Sequence, residues 1–261
     1  MKDFVTQTTA AQRLAEKAQD YYSGPEVVIR QLFYERKDTE PYTPSKFISP
    51  SGMSCPIACC FKLQGIELPP NKESFFDRSK ADAGTDRHAR IQEFLSKTPY
   101  WVNVKEYIEQ QQVPLIVLKE DGYEYLLRHK YLPIRFKCDG LLKIDGKYYV
   151  LEIKTEGERK NLDRKNFNPD HEFQGATYAT TLKTEGIIWL YEGRDSCDPK
   201  TFLQLTTKGD RQLINKYIND IVDNKEQPFD AFCPDDNKCV YCEYKKHCKE
   251  EYRQWKKKQM K

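Results

Sequence analysis

Lys137-Cys138-Asp139-Gly140-Leu141-Leu142-Lys143-Ile144-Asp145-Gly146-Lys147-Tyr148-Tyr149-Val150-Leu151-Glu152-Ile153-Lys154 decides how this chain is read. Two strand-like runs flank Asp145-Gly146, a pair suited to a two-residue hairpin loop. With that loop, Ile144 pairs with Lys147. Counting outward along both arms brings Asp139 opposite Glu152, with their Cβ atoms about 5 Å apart on one face of a sheet. Lys154, two residues beyond Glu152, projects from the same face.

Two opposed carboxylates repel one another unless something positive lies between them. A divalent cation answers that need, because Mg²⁺ and Mn²⁺ favour carboxylate oxygens. Such a metal polarises a phosphodiester and lowers the pKa of a bound water. The adjacent lysine can orient that water or stabilise charge on the phosphate. The bland alternative is an exposed hairpin whose charges alternate by accident.

The surroundings are those of a folded, water-exposed protein. Of 261 residues, 38% are hydrophobic and 32% charged, enough to build a core beneath a solvated surface. No apolar run reaches the length of a membrane span and the N-terminus lacks a signal-peptide core, so a soluble, cytoplasmic protein is expected. Net charge is only +3, which does not announce a nucleic-acid binder. Arg159, Lys160, Arg164 and Lys165 alone read as a solvated face, but they follow the hairpin closely enough to guide a phosphate backbone towards a metal there. Lys256, Lys257, Lys258 and Lys261 read as a solvated tail.

Elsewhere the pattern predicts helices over Asp3 to Tyr34 with a break near Gly24-Pro25, Pro56 to Gln64, Glu73 to Lys97, His171 to Lys183 with Asp170 as N-cap, and Asp210 to Asn224. It predicts strands over Trp101 to Ile108, Val113 to Lys119, Tyr123 to His129, Ile134 to Ile144, Lys147 to Lys154, Gly186 to Tyr191 and Phe202 to Thr206. Asp121-Gly122 reads as a second tight turn.

Nine cysteines in a chain without a secretory signal point to metal rather than disulfides. Cys239-x2-Cys242-x5-Cys248 has the spacing of a metal knuckle but supplies three thiolates, one short of the usual four. The fourth comes from Cys233 or from the group at Cys55, Cys59 and Cys60. On spacing alone zinc and an iron–sulfur cluster both remain open. Cys138 and Cys197 read as small buried hydrophobes.

Asp139-Gly140 followed by Leu151-Glu152-Ile153-Lys154 resembles the core of the PD-(D/E)XK nucleases, with Cys138-Asp139 where proline-aspartate is usual. His88 in Gly84-Thr85-Asp86-Arg87-His88, and Gln174 and Tyr178 four apart on a later helix, resemble the RecB-type branch. The resemblance implies that Asp139, Glu152, His88 and the Ile153 carbonyl hold Mg²⁺ or Mn²⁺. It makes Lys154 the catalytic lysine and sets Gln174 and Tyr178 beside the centre and the DNA. The approach Ser49-Pro50-Ser51-Gly52-Met53-Ser54-Cys55-Pro56 resembles the iron–sulfur members, which include AddB nuclease domains and CRISPR-adaptation exonucleases. That implies a [4Fe–4S] cluster on Cys55, Cys239, Cys242 and Cys248, with Zn²⁺ as the alternative.

The expected fold is therefore α/β: a restriction-endonuclease-like core with a central mixed sheet flanked by helices, plus a cysteine-rich C-terminal region. Its expected parts are an N-terminal helical segment (1–44), a nuclease domain with its cysteine staple (45–250) and a basic tail (251–261). The N-terminal and cysteine-rich sections are expected to close around the sheet, favouring an exonuclease fed from DNA ends or single strands. No Gly-x4-Gly-Lys-Ser/Thr phosphate loop occurs, so a helicase, recombinase or CRISPR-adaptation partner would unwind duplex. Recombination, repair, phage DNA metabolism and spacer acquisition, in a bacterial, archaeal or phage-infected cell, all suit such an enzyme. The competing readings are a structure-specific endonuclease, a non-catalytic nucleic-acid-binding module on the same scaffold, and a zinc-stabilised interaction domain.

Overall fold

Asp145 (φ 51°) and Gly146 (φ 78°) both take left-handed backbone, as a tight turn of this kind demands. They join β6 (Gly140–Ile144) to β7 (Lys147–Glu156), and Ile144 pairs with Lys147 as the turn chemistry predicts. This computed structural model describes residues 25–39, 44–234, 239 and 242–260. The expected helix before Pro25 lies outside them.

β7 is followed by α5 (Glu158–Asp163), a 3-10 turn and α6 (Glu172–Leu182), which carry the chain across to β8 (Gly186–Gly193). β8 lies parallel to β7, and β9 (Pro199–Leu205) returns antiparallel to it. The result is a mixed four-stranded sheet in the order β6-β7-β8-β9. Seven of the eight β8 residues are buried, as befits a strand covered on both faces.

Helices cover both faces. Ile91 and Leu95 of α3 (Phe75–Ser96) pack with Leu142, Leu151, Ile153 and Leu190. The other face belongs to the main core, where Leu141, Val150, Ile187 and Trp189 meet Ala176, Tyr178 and Leu182 of α6 and Ile214 and Ile218 of α7 (Lys208–Asp223). Period-two alternation along β7 sends Leu151 and Ile153 one way and Val150 the other. Thr207 and Asp210 form a reciprocal capping box at the start of α7.

A second sheet, β3-β4-β5, comprises β3 (Leu115–Asp121), β4 (Glu124–His129) and β5 (Arg135–Cys138). Its first turn differs by one residue from expectation. Asp121 pairs with Glu124, so Gly122-Tyr123 make the turn rather than Asp121-Gly122. An irregularity between Val117 and Lys119 accompanies the changed register.

Other expectations need correction. Residues 101 to 108 are not a strand: Asn103 caps α4 (Val104–Gln110) by accepting from the Glu106 amide, and Val104, Tyr107 and Ile108 are buried at helical spacing. The segment Ile134 to Ile144 is two strands in two sheets, because the chain changes partner at Asp139. Gly140 is required there, since a Cβ would meet the Trp101 ring at 2.6 Å. Asp170 is not the cap of α6; Asn168 caps the preceding 3-10 turn, by accepting from the Asp170 amide. Cys138 is buried as expected, but Cys197 is exposed at a position of φ 56°.

Two compact units divide the chain, and the smaller contains the described residues up to 39 together with Pro70–Ala83. In it, α1 (Pro25–Tyr34), the two-residue strands β1 (Lys37–Asp38) and β2 (Lys72–Glu73) and the first turns of α3 are joined by Phe33–Phe75 and Tyr34–Phe76 ring contacts. The larger unit holds both larger sheets and also α2 (Pro56–Gln64), α8 (Pro228–Ala231) and α9 (Lys245–Gln259). α2 has the expected bounds, ending on Gly65 in left-handed backbone.

Candidate active site

Asp139 sits where β5 gives way to β6, one residue outside the terminal Gly140–Leu151 pair. Its Oδ2 accepts from the Ile153 amide at 2.8 Å. Its carbonyl accepts from Nε2 of Gln92 at 2.7 Å. The next position outward on β7 is Glu152, so the two acids face one another as the register requires. Both are buried, Asp139 at 8% exposure and Glu152 at 5%.

Glu152 Oε1 accepts from Lys154 Nζ at 2.7 Å and from Gln174 Nε2 at 2.9 Å. Burial first, then the Asp139 charge, hold the Glu152 carboxyl above the usual range, against the pull of Lys154. A bound cation would reverse that balance by favouring both carboxylates. Tyr178, one turn beyond Gln174, is buried against Phe136 with ring centroids 5.2 Å apart. Burial, then the charges of Glu152 and Asp139, push its hydroxyl well above the ordinary tyrosine value, so it stays protonated.

His88 reaches the same place from α3, with Nδ1 3.6 Å from Asp139 Oδ2. Burial works to lower its pKa, yet the hydrogen bond and charge of Asp139, with the charges of Glu152 and Glu124, prevail and raise it. Arg87 and Arg90 flank His88 and both bind the buried carboxylate of Glu192 on β8, which anchors this stretch of helix.

Glu124 is the acid that sequence reasoning missed. Ligand atoms of His88, Glu124 and Asp139 all lie within 4.8 Å of one another, a group that could bind a metal. The β4–β5 register pairs Tyr125 with Cys138, and one step outward sets Glu124 beside Asp139. Asp139 thus has an acid on either side, Glu152 across one strand pair and Glu124 across the other. The same counting would have found Glu124, but the connection from residue 130 to 134 carries no turn chemistry that sets a register. Lys137 Nζ holds Glu124 Oε2 at 2.7 Å.

The basic run after β7 does not act as one group. Arg159, Lys160 and Lys165 are exposed. Arg164 is committed elsewhere: it binds Glu156 through two nitrogens, at 2.5 and 2.6 Å, and lies over the Tyr191 ring at 3.9 Å. With 8% of its side chain exposed, it serves the fold and is withdrawn from any run facing DNA.

Cys55, Cys242 and Cys248 pack in one cluster with Phe61 and Tyr244, and Cys239 is near enough to act on the charge state of Cys242 and Cys248. Burial first, then the charges of Cys55, Cys239 and Cys242, push the Cys248 thiol up to about 12. Cys242 is raised in the same way, with Cys55 and Cys239 among its neighbours. Cys59 and Cys60 instead belong to the main core, donating to the carbonyls of Gly52 and Ile221, and Cys233 is exposed.

No family model matches the chain, and no curated protein matches it. Among solved structures it is similar to SSO0001, at 14% identity and a TM-score of 0.44, over 78% of this chain and 85% of that one. It is also similar to an alkaline exonuclease, LHK-Exo, from Laribacter hongkongensis, at 12% identity and a TM-score of 0.42, over 72% of this chain and 91% of that one. Likenesses of this degree carry no functional weight. Among the described residues no helix is long and apolar enough to cross a membrane.

Proposed function

We propose that this chain is a metal-dependent deoxyribonuclease of the RecB-like PD-(D/E)XK type, hydrolysing phosphodiester bonds at DNA ends or in single strands. One observation carries the reading: Asp139 and Glu152 face each other in a buried site, with Lys154 on Glu152 and His88 on Asp139. Buried like charges this close are unfavourable without a cation. Carboxylates with one imidazole form a donor set that fits Mn²⁺ or Mg²⁺.

Asp139, Glu152, His88 and the Ile153 carbonyl would hold the ion, with Glu124 in reach. When bound, a divalent cation there supplies Lewis acidity towards the phosphate and lowers the pKa of a water. Lys154 Nζ, braced on Glu152, orients the attacking water or meets charge building on the phosphate oxygens. Gln174 fixes the Glu152 carboxylate, and Tyr178 remains a proton donor beside it. Arg159, Lys160 and Lys165 contribute exposed positive charge for the DNA backbone.

Cys55, Cys239, Cys242 and Cys248 offer the four thiolates of a [4Fe–4S] cluster, with Zn²⁺ as the alternative for the same donors. Such a centre would tie the approach to α2 to the C-terminal helix and so stabilise the fold. Duplex unwinding would fall to a helicase, recombinase or CRISPR-adaptation partner.

The test is digestion of linear and closed circular single strands, side by side, by anaerobically prepared protein with Mn²⁺. Linear DNA should be degraded and the circle spared. Asp139→Ala and Glu152→Ala should abolish cleavage while DNA binding persists. Substantial cleavage by Asp139→Ala would overturn the site, and equal rates on both substrates would make the enzyme an endonuclease.

A further inference from the structure

Lys256, Lys257 and Lys258 are not a tail: they are the end of a helix, α9, that begins at Lys245. Its 15 residues include seven lysines and arginines against two glutamates, Glu250 and Glu251. That is a net charge of +5, where the entire chain carries +3, so the remainder of the protein is net negative by two. At roughly 100° per residue, Lys245, Lys246, Lys249, Arg253, Lys256 and Lys257 fall within an arc of about 120°. The side next to it is spoken for: Cys248, Tyr252 and Trp255 pack with Phe61, Phe229 and Tyr244, and Lys256 lies over the Tyr252 ring at 4.6 Å.

Six cations on one stripe are costly to the helix that carries them. Like charges four apart, as in Lys245/Lys249, Lys249/Arg253 and Arg253/Lys257, oppose helix formation. Lys245 and Lys246 also sit at the positive end of the helix dipole. Elsewhere the fold offsets such charge, with Glu93–Lys97 at the end of α3 and Lys216–Asp220 on α7. Among the described residues, no carboxylate lies within ion-pair distance of the stripe. Lys246, Lys249, Arg253, Lys256 and Lys257 are exposed. Solubility needs net charge but not its concentration on one arc.

We propose that the basic face of α9 is a docking surface for the sugar–phosphate backbone of a DNA strand. From Lys245 to Lys257 the stripe presents its charges over about 18 Å, the span of several successive phosphates. Contacts of this kind position a strand without reading its bases. The surface also has a physical connection to the candidate centre. Cys55, beside Cys248, lies two residues after Met53, whose sulfur accepts from Thr177 Oγ1 on α6. Thr177 stands between Gln174 and Tyr178, so a chain of contacts runs from α9 to the helix that carries both. The identity of the strand as substrate rests on the nuclease reading; the polyanion site does not.

The test is fluorescence anisotropy of a labelled single strand with the full-length, anaerobically prepared protein in Ca²⁺, over a salt series. Lys246→Glu/Arg253→Glu/Lys257→Glu should weaken binding at least tenfold at moderate salt. The milder Gln triple variant, which guards against misfolding, should lower the slope of log affinity against log salt by about 2, as expected for three lost phosphate contacts on a single strand. Cleavage of a short oligonucleotide that cannot reach α9 should be unchanged. An unaltered slope in the Gln variant overturns the proposal. So does tighter binding of phosphatidylserine vesicles than of DNA, lost with the same substitutions. If wild-type protein binds DNA through the stripe yet never cleaves it with Mn²⁺, the nuclease reading fails and the docking surface stands.

Discussion

The side-chain amide of Gln92 donates to the backbone carbonyl of Asp139 at 2.7 Å, with Gln92 only 2% exposed. Gln92 lies one turn beyond His88 on α3, so one helical face meets both the carbonyl and the carboxylate of the same aspartate. The bond satisfies a backbone acceptor at the point where the chain leaves one sheet for another. Gln92→Leu strands that acceptor and should cost about 1–3 kcal/mol in urea unfolding. It should also weaken Mn²⁺ binding, measured by calorimetry. Unchanged stability and unchanged affinity together would show that the contact does not position Asp139.

Lys154 and Gln174 share one oxygen of Glu152 but are expected to fail differently. Lys154→Ala keeps the carboxylates and should still bind Mn²⁺, while turnover falls by roughly 10²–10³ because charge aimed at the phosphate is gone. Gln174→Leu leaves Lys154 in place and should act mainly on cation affinity, since it frees the carboxylate to rotate. Single-turnover rates and Mn²⁺ titrations on both variants separate the two roles. Loss of cation binding in Lys154→Ala would place that side chain among the structural supports instead.

The cysteine site predicts a colour. Protein made and kept without oxygen should be brown, with broad absorption from iron–sulfur charge transfer. Cys248→Ala should bleach it and give insoluble or protease-sensitive protein, because the proposed centre would tie Cys55 to the C-terminal cysteines. A colourless, well-folded protein with one zinc per chain would replace the cluster by a zinc knuckle.

His171 supplies a pH dependence of stability. Burial, then the charges of Lys154, Arg164 and Lys160 against an opposing Asp170, lower its pKa from 6.5 to about 4. It sits against the Trp189 and Tyr191 rings, with Nδ1 3.0 Å from the Tyr191 hydroxyl. As pH falls below 6.5 the unfolded chain takes up this proton first, so the contribution is present above 6.5 and lost on the way to 4. His171→Gln removes that titration. Its melting temperature should therefore drop less than wild type's between pH 7 and pH 4.5; equal drops would contradict the assignment.

The hairpin was legible because its determinants are neighbours. Asp145-Gly146 can take the positive φ angles of the turn, the turn sets the register, and the register alone brings Asp139 opposite Glu152. Helix α2 was equally local, bounded by Pro56 and Gly65. Where local signals were ambiguous, longer-range packing decided. Val104, Tyr107 and Ile108 suit a strand in composition, yet the Asn103 cap and burial at helical spacing make them α4.

By itself, then, the sequence determined the turn, the facing carboxylates and the spacing of the cysteines, since each depends on residues close along the chain. Only the tertiary structure decided that β5 and β6 part at Asp139, and that Glu124 and Gln92 meet there from separate elements. It also decided that Arg164 is consumed by Glu156 and that α9 turns one charged face outward while burying Cys248. Those relationships join positions far apart in sequence, and packing selects among their many pairings in a way that no local propensity records.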